Sequence, residues 1–198
     1  SVLAVGNGTD ALYLALRAVG IGDGDVVATV ANAGGYSSGA ALRAGGSPVF
    51  VDVDPMTAQM SRDALEDVLD RETGIGAVVL THLYGLVGDV QAIKALCDER
   101  EVALIEDCAQ AMGASVGGRP AGTFGEVATL SFYPTKNLGA FGDGGAVVSA
   151  TAEIHQRVAL LAQYGWSTRY EVAAPGGLNL VDTRVDAAGC CDLVTRAP

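Results

Sequence analysis

Short apolar runs alternate with longer amphipathic stretches along most of this chain. The runs at 26–30, 48–53, 77–82, 102–105, 127–132 and 146–149 read as strands. Between them, 9–19, 37–44, 61–69, 90–100 and 152–164 carry the apolar spacing of helices. Strands that are apolar throughout are buried on both faces, and helices between them supply the cover. The expected fold is therefore α/β, with a mainly parallel sheet flanked by helices. Ligands in such sheets bind beyond the carboxyl ends of the strands. Asp107, Lys136 and His82 all fall at or just past predicted strand ends, so they are expected to converge on one crevice. After Gly165 the pattern fades, and from Gly176 onward no periodicity remains. One domain over 1–175 followed by an atypical tail over 176–198, disordered or read out of frame, is the expectation. The chain opens on Ser1-Val2-Leu3-Ala4-Val5 with no methionine, as a piece of a longer protein would.

Composition narrows the partners. A chain of 198 residues with 49% hydrophobic content can bury a full core, and 27 glycines suit many tight strand–helix turns. The net charge is −11 with no basic stripe, which argues against nucleic acid and anionic membrane surfaces. No apolar run reaches the length of a membrane span, and no signal-peptide pattern opens the chain. Cys97, Cys108, Cys190 and Cys191 lack metal-ligand spacing, and His82 and His155 are far apart. No metal site is expected, and free thiols in a reducing cytoplasm are.

The chemistry concentrates at Ser131-Phe132-Tyr133-Pro134-Thr135-Lys136-Asn137-Leu138-Gly139-Ala140, where one lysine sits in a glycine- and proline-rich turn between two apolar strands. A lysine held there is expected to be shielded from solvent, which favours its neutral, nucleophilic form. Such amines form Schiff bases with carbonyls, including that of pyridoxal phosphate. The bland alternative is a solvated loop lysine. Asp107 closes a strand, and a carboxylate there caps a helix, faces water, or holds a pyridinium nitrogen protonated. Gln110 lies within reach of a ring substituent, and Ser131 of a phosphate. Gly6-Asn7-Gly8-Thr9-Asp10-Ala11 opens a helix. It reads equally as an anion site at a helix N-terminus and as a plain cap made by Asn7 or Thr9. The same residues fit G-x-G-x-x-A, which raises a nicotinamide-dependent oxidoreductase as a rival. That reading needs an acid at the end of the second strand, where Ala31-Asn32 stands instead. His82 is taken as structural by default, and Cys108 as a small core filler.

In order along the chain, GNGTDALYLALRA, PVFVDVDP, THLYG, LIEDCAQAMGA, GTFGEVATLSFYPTKNLGAFGDGGAVV and LLAQYGWSTRY cover most of residues 6–170. On these segments the chain resembles the DegT/DnrJ/StrS-type sugar aminotransferases. The resemblance implies the aspartate-aminotransferase fold (fold type I), here its large domain without the C-terminal small domain. It implies pyridoxal phosphate as cofactor, Lys136 as Schiff-base lysine and proton shuttle, Asp107 on the ring nitrogen and Gln110 near the ring hydroxyl. Gly8, Thr9 and Ser131 would surround the phosphate. Relatives with dehydratase activity carry histidine in place of Lys136, so the aminotransferase branch is implied. Its reaction moves an amino group from an amino acid, usually glutamate, to a keto carbon of a nucleotide-linked deoxysugar, in a cytoplasmic homodimer. Many relatives stack an aromatic on the ring from about position 34. This chain has Ala33-Gly34-Gly35 there, and Tyr36 is the nearest aromatic. Asn179 or Arg184 stands where the family places an Asn-x-Arg helix, and Asn179 is the expected cofactor contact. A catalytically inert fragment that still captures cofactor is the alternative outcome.

Overall fold

Residues 1–165 are described in full by the computed structural model, together with the backbone of strands Trp166–Thr168, Glu171–Val172, Asp182–Val185 and Cys191–Val194. Asn179 lies outside the described residues. The elements follow as β1 (Val2–Val5), α1 (Gly8–Ala18), β2 (Val26–Val30), α2 (Tyr36–Arg43), β3 (Ser47–Val51) and α3 (Arg62–Arg71). Then come β4 (Ile75–Thr81), α4 (Val90–Glu99) and β5 (Ala103–Asp107), a small hairpin of β6 (Ser115–Val116) and β7 (Arg119–Pro120), β8 (Val127–Ser131), β9 (Gly145–Ser149) and α5 (Ala152–Ala162). Three helices start where the sequence offers an oxygen-bearing cap. Asn7, Ser61 and Thr151 each accept the backbone N–H three residues on, from Asp10, Ala64 and Ile154.

Seven strands form one sheet in the order β1-β9-β8-β5-β4-β2-β3. The pairs β2/β3, β2/β4, β4/β5 and β5/β8 are parallel, as the alternation of elements predicts. The edge departs from that expectation. β9 runs antiparallel to both β8 and β1. The loop 132–144 forms no helix to cross the sheet, and the chain turns straight back from β8 into β9. β1 was not foreseen, because four apolar residues at the start of a chain carry no flanking pattern. Both β1 and β8 oppose β9, so their carboxyl ends point the same way.

The two faces are packed separately. Val27, Ala77, Val79, Ile105, Val127 and Val147 meet α1, α2 and α5 through Leu12, Leu16, Ala41 and Val158. Ala28, Val30, Val78, Leu80 and Leu104 meet α3 and α4 through Leu65, Val68, Ile93 and Leu96. This alternation fixes which strand-end residues look toward α1 and which look away. In the tail, Asp182–Val185 pairs antiparallel with Cys191–Val194, so part of a segment without sequence periodicity forms strands.

Candidate functional site

Three chain segments meet at the carboxyl end of the sheet. Asp107 ends β5, Ser131 ends β8, and the turn leaving β1 delivers Gly8 to the start of α1. β5 and β8 are hydrogen-bonded neighbours, with Asp107 opposite Thr129. Together with α2 they enclose a cavity of about 680 Å³. Its walls include Gly8, Thr9, Tyr36, Asp107, Ser131 and Lys136, so six of the residues singled out from sequence converge.

Asp107 is 5% exposed. Its Oδ1 accepts the Ala109 N–H at 3.1 Å, and its Oδ2 accepts the Thr81 hydroxyl at 3.3 Å. Burial pushes its pKa above the ordinary carboxylate range. Those two hydrogen bonds and the charges of Lys136 and His82 pull it back only in part. It makes no ion pair among the described residues, so it is a buried acid short of a cation. Lys136 projects from the loop 132–144, whose base is pinned by the Phe132 N–H on Gly144 O and the Ala140 N–H on Phe132 O, both 2.7 Å. The loop itself stands out in solvent, with Tyr133, Leu138 and Phe141 exposed and Lys136 half-buried. The expected full shielding of this lysine is therefore not found. The apolar strands that suggested it stop at Ser131 and resume at Gly145.

At the start of α1, Asn7 is the cap: its Oδ1 accepts the Asp10 N–H at 2.8 Å. Thr9 is left free of that task and faces the cavity. The first helical N–H groups have no carbonyl partner within the helix. Gly8 is required by close approach, since a Cβ built on it falls 2.8 Å from Ser131 Cβ. Gly34, at φ +74°, has a different reason. A side chain there would meet the Tyr36 ring at 3.0 Å, so Tyr36 fills the space a residue 34 side chain would take.

One expectation fails on geometry, and two others are qualified. His82 does not reach the cavity. It lies on the α3/α4 face with Glu106, its Nε2 2.9 Å from Glu106 Oε2, and both side chains are fully buried. Strand alternation separates Glu106 from Asp107 in the same way. Gln110 is not among the residues lining the cavity, and its Oε1 accepts the Tyr84 N–H at 2.9 Å. The rival dinucleotide fingerprint gains its strand in β1, yet β2 still ends without an acid.

His82, Glu106 and Cys108 offer donor atoms within 4.8 Å of one another. Glu106 is already saturated, accepting the N–H groups of Gly122, Phe124 and Gly125 at 2.8, 2.6 and 2.7 Å besides His82. Burial pushes the thiols of Cys97, to about 12, and Cys108 upward, so neither is a nucleophile near neutral pH. Sequence reading missed Arg43 and Asp10, which also line the cavity and pair with each other across the α1/α2 packing.

A mostly parallel sheet with a lysine loop past one strand end and a buried aspartate past the next defines the α/β fold of the pyridoxal phosphate aminotransferases. The chain belongs to the DegT/DnrJ/EryC1/StrS aminotransferase family, whose model matches residues 1–189. That match runs past residue 170, where the recognisable segments end. It is 44% identical over 177 residues to the dTDP-3-amino-3,4,6-trideoxy-alpha-D-glucose transaminase of Micromonospora megalomicea subsp. nigra, covering 89% of this chain and 47% of the relative. It is 44% identical over 163 residues to the UDP-N-acetyl-3-dehydro-alpha-D-glucosamine 3-aminotransferase of Acidithiobacillus ferrooxidans, covering 82% and 44%. The crystal structure of NtdA from Bacillus subtilis with bound cofactor PMP matches with a TM-score of 0.83 at 30% identity, over 90% of this chain and 40% of that one. The chain spans about half the length of the curated relatives it matches. Membership sets aside the oxidoreductase reading. No described helix is long and apolar enough to cross a membrane.

Proposed function

We propose that this chain forms the cofactor-binding part of a pyridoxal-phosphate-dependent aminotransferase acting on a nucleotide-linked keto-deoxysugar, with an amino acid, glutamate first, as donor. The observation that carries the reading is the buried, cation-short Asp107 sharing one cavity with Lys136 and the start of α1. The cavity fits the cofactor on chemical grounds. A pyridinium N–H is the partner Asp107 lacks, an amine stands ready for the carbonyl, and a phosphate dianion suits the free N–H groups at Gly8 and Thr9 beside the Ser131 hydroxyl. When bound, pyridoxal phosphate supplies an electron sink for the carbon that loses its proton.

The residues divide the remaining work. Asp107 keeps the ring nitrogen protonated, and its burial makes that ion pair strong. Lys136 forms the covalent link and then, once released, carries the proton between carbon positions from the rim of the cavity. Tyr36 offers its ring as the stacking surface from the first turn of α2. Exposed Tyr133, Leu138 and Phe141 on the 132–144 loop support a homodimer that covers them. Asn179 remains a proposed cofactor contact.

The direct test is to add pyridoxal phosphate to the purified chain, reduce with borohydride and map the labelled peptide. A single stable adduct on Lys136 is expected. A colourless protein or a label on another lysine would sink the reading. The second reading, cofactor capture without turnover, is favoured by the chain's covering only about half of its relatives. Comparing the glutamate half-reaction in this chain and in a version of full family length separates the two. Gly8→Ala tests the phosphate end independently. It is expected to cost about 1–3 kcal/mol in a thermal melt, because the added methyl meets Ser131 Cβ and Cα, atoms fixed to the β8 backbone, and to weaken cofactor capture as well.

A further inference from the structure

The helix start proposed to receive the phosphate also carries a carboxylate. Asp10 sits in the first turn of α1 and lines the cavity. A helix N-terminus offers about half a positive charge, so a full negative charge beside it outweighs the dipole and leaves the site repelling an anion. The other charges nearby do not correct this. The cavity wall holds three acids, Asp10, Asp107 and Asp143, against two cations, Arg43 and Lys136. Lys136 is committed to the carbonyl in the proposed reaction, which leaves Arg43. Its Nη1 lies 2.5 Å from Asp10 Oδ1, while Asp10 Oδ2 accepts the Asn7 Nδ2–H at 2.9 Å. The guanidinium also lies over the Tyr13 ring, 4.3 Å from its centroid. Arg43 is thereby held from two sides, and the Asp10 side chain is only 14% exposed.

We infer that Arg43 is a positioning residue for phosphate binding: by pairing with Asp10 it cancels the one charge that would otherwise repel the phosphate from the start of α1. The inference rests on the phosphate site proposed above. Asp10 earns its place by its bond to the capping Asn7, and Arg43 makes that cap compatible with an anionic ligand. The pair restores the dipole's half charge instead of contacting the phosphate.

The test compares dissociation constants of pyridoxal phosphate and pyridoxal, which lacks the phosphate, in the wild-type chain, Arg43→Met, Asp10→Asn and the double variant. The readout is the ratio of the two constants, which a loss of packing leaves unchanged. Arg43→Met is expected to reduce the preference for the phosphate ester by roughly five- to tenfold, more at low salt. The double variant is expected to return to within about twofold of wild type, within the usual worth of a part-exposed pair. Asp10→Asn alone is expected to keep or raise the preference, and it decides the matter if Arg43→Met does not fold. An unchanged ratio in Arg43→Met, equal weakening of both ligands, or a fall in Asp10→Asn overturns the inference. So does a double variant that stays weak, since Arg43 would then touch the phosphate itself. A wild-type chain with no preference for the phosphate ester refutes the underlying site reading instead.

Discussion

Lys136→Ala is expected to abolish the borohydride-trapped adduct and, in a version of full family length, to lower amino transfer by at least about 10⁴-fold. The proposed lysine does two jobs, and loss of the proton shuttle alone is worth about 10²–10⁴. Loss of the covalent link compounds it, because no other lysine lines the cavity. The same substitution is expected to leave thermal stability within about 0.5 kcal/mol of wild type, since a half-buried side chain on an exposed loop contributes little packing. Activity lost with stability kept is the signature of a reacting group. A melt that collapses, or transfer that survives, contradicts the role.

Glu106→Ala is expected to do the reverse and damage the scaffold, by about 3–5 kcal/mol. Four donors, from His82, Gly122, Phe124 and Gly125, converge on this one buried carboxylate. Removing it leaves them without acceptors in an apolar interior. The loop 120–126 and the end of β4 would lose their common anchor. A fall in melting temperature of roughly 10 °C is the expected reading for a domain of this size. The pH dependence supplies a second check. Burial alone would raise the pKa of Glu106, but His82 and the N–H groups of Gly125 and Gly122 outweigh it and hold the acid below its ordinary value of 4.5. Its stabilisation is therefore present above pH 4.5 and lost as pH falls through the lower folded value. The gap between wild type and Glu106→Ala should narrow on acidification. Asp107 has the opposite sign. Its raised pKa favours folding below 3.8, and that contribution is lost as pH rises through the folded value. At neutral pH it weakens the fold until a cation meets it.

The neighbouring acids also mark how far the sequence could be read. Strand and helix positions were legible within a few residues, because burial on both faces writes continuous apolar runs and the helices carry their own period. The meeting of Gly8, Thr9, Tyr36, Asp107, Ser131 and Lys136 followed from strand ends plus the family segments. What escaped depended on direction. Asp107 ends β5 and His82 follows directly on β4, and only the parity of each strand tells that His82 looks toward α3 and α4. Gln110 was within reach of the site by spacing, and the bond its Oε1 accepts from the Tyr84 N–H could not be read from sequence. The β9 reversal was hidden because an apolar run reads the same in either orientation. Arg43 and Asp10 stand far apart in sequence, and charge alone does not announce a partner.

The division at Glu106 and Asp107 has a hereditary consequence. Because successive side chains leave β5 on opposite sides, scaffold and chemistry hang on consecutive codons. Inserting or deleting one residue within 103–105 would turn the cavity-facing acid into the loop anchor and the anchor into the cavity-facing acid. Substitution can drift through much of this chain, but a change of length in that strand would exchange the two duties at a stroke.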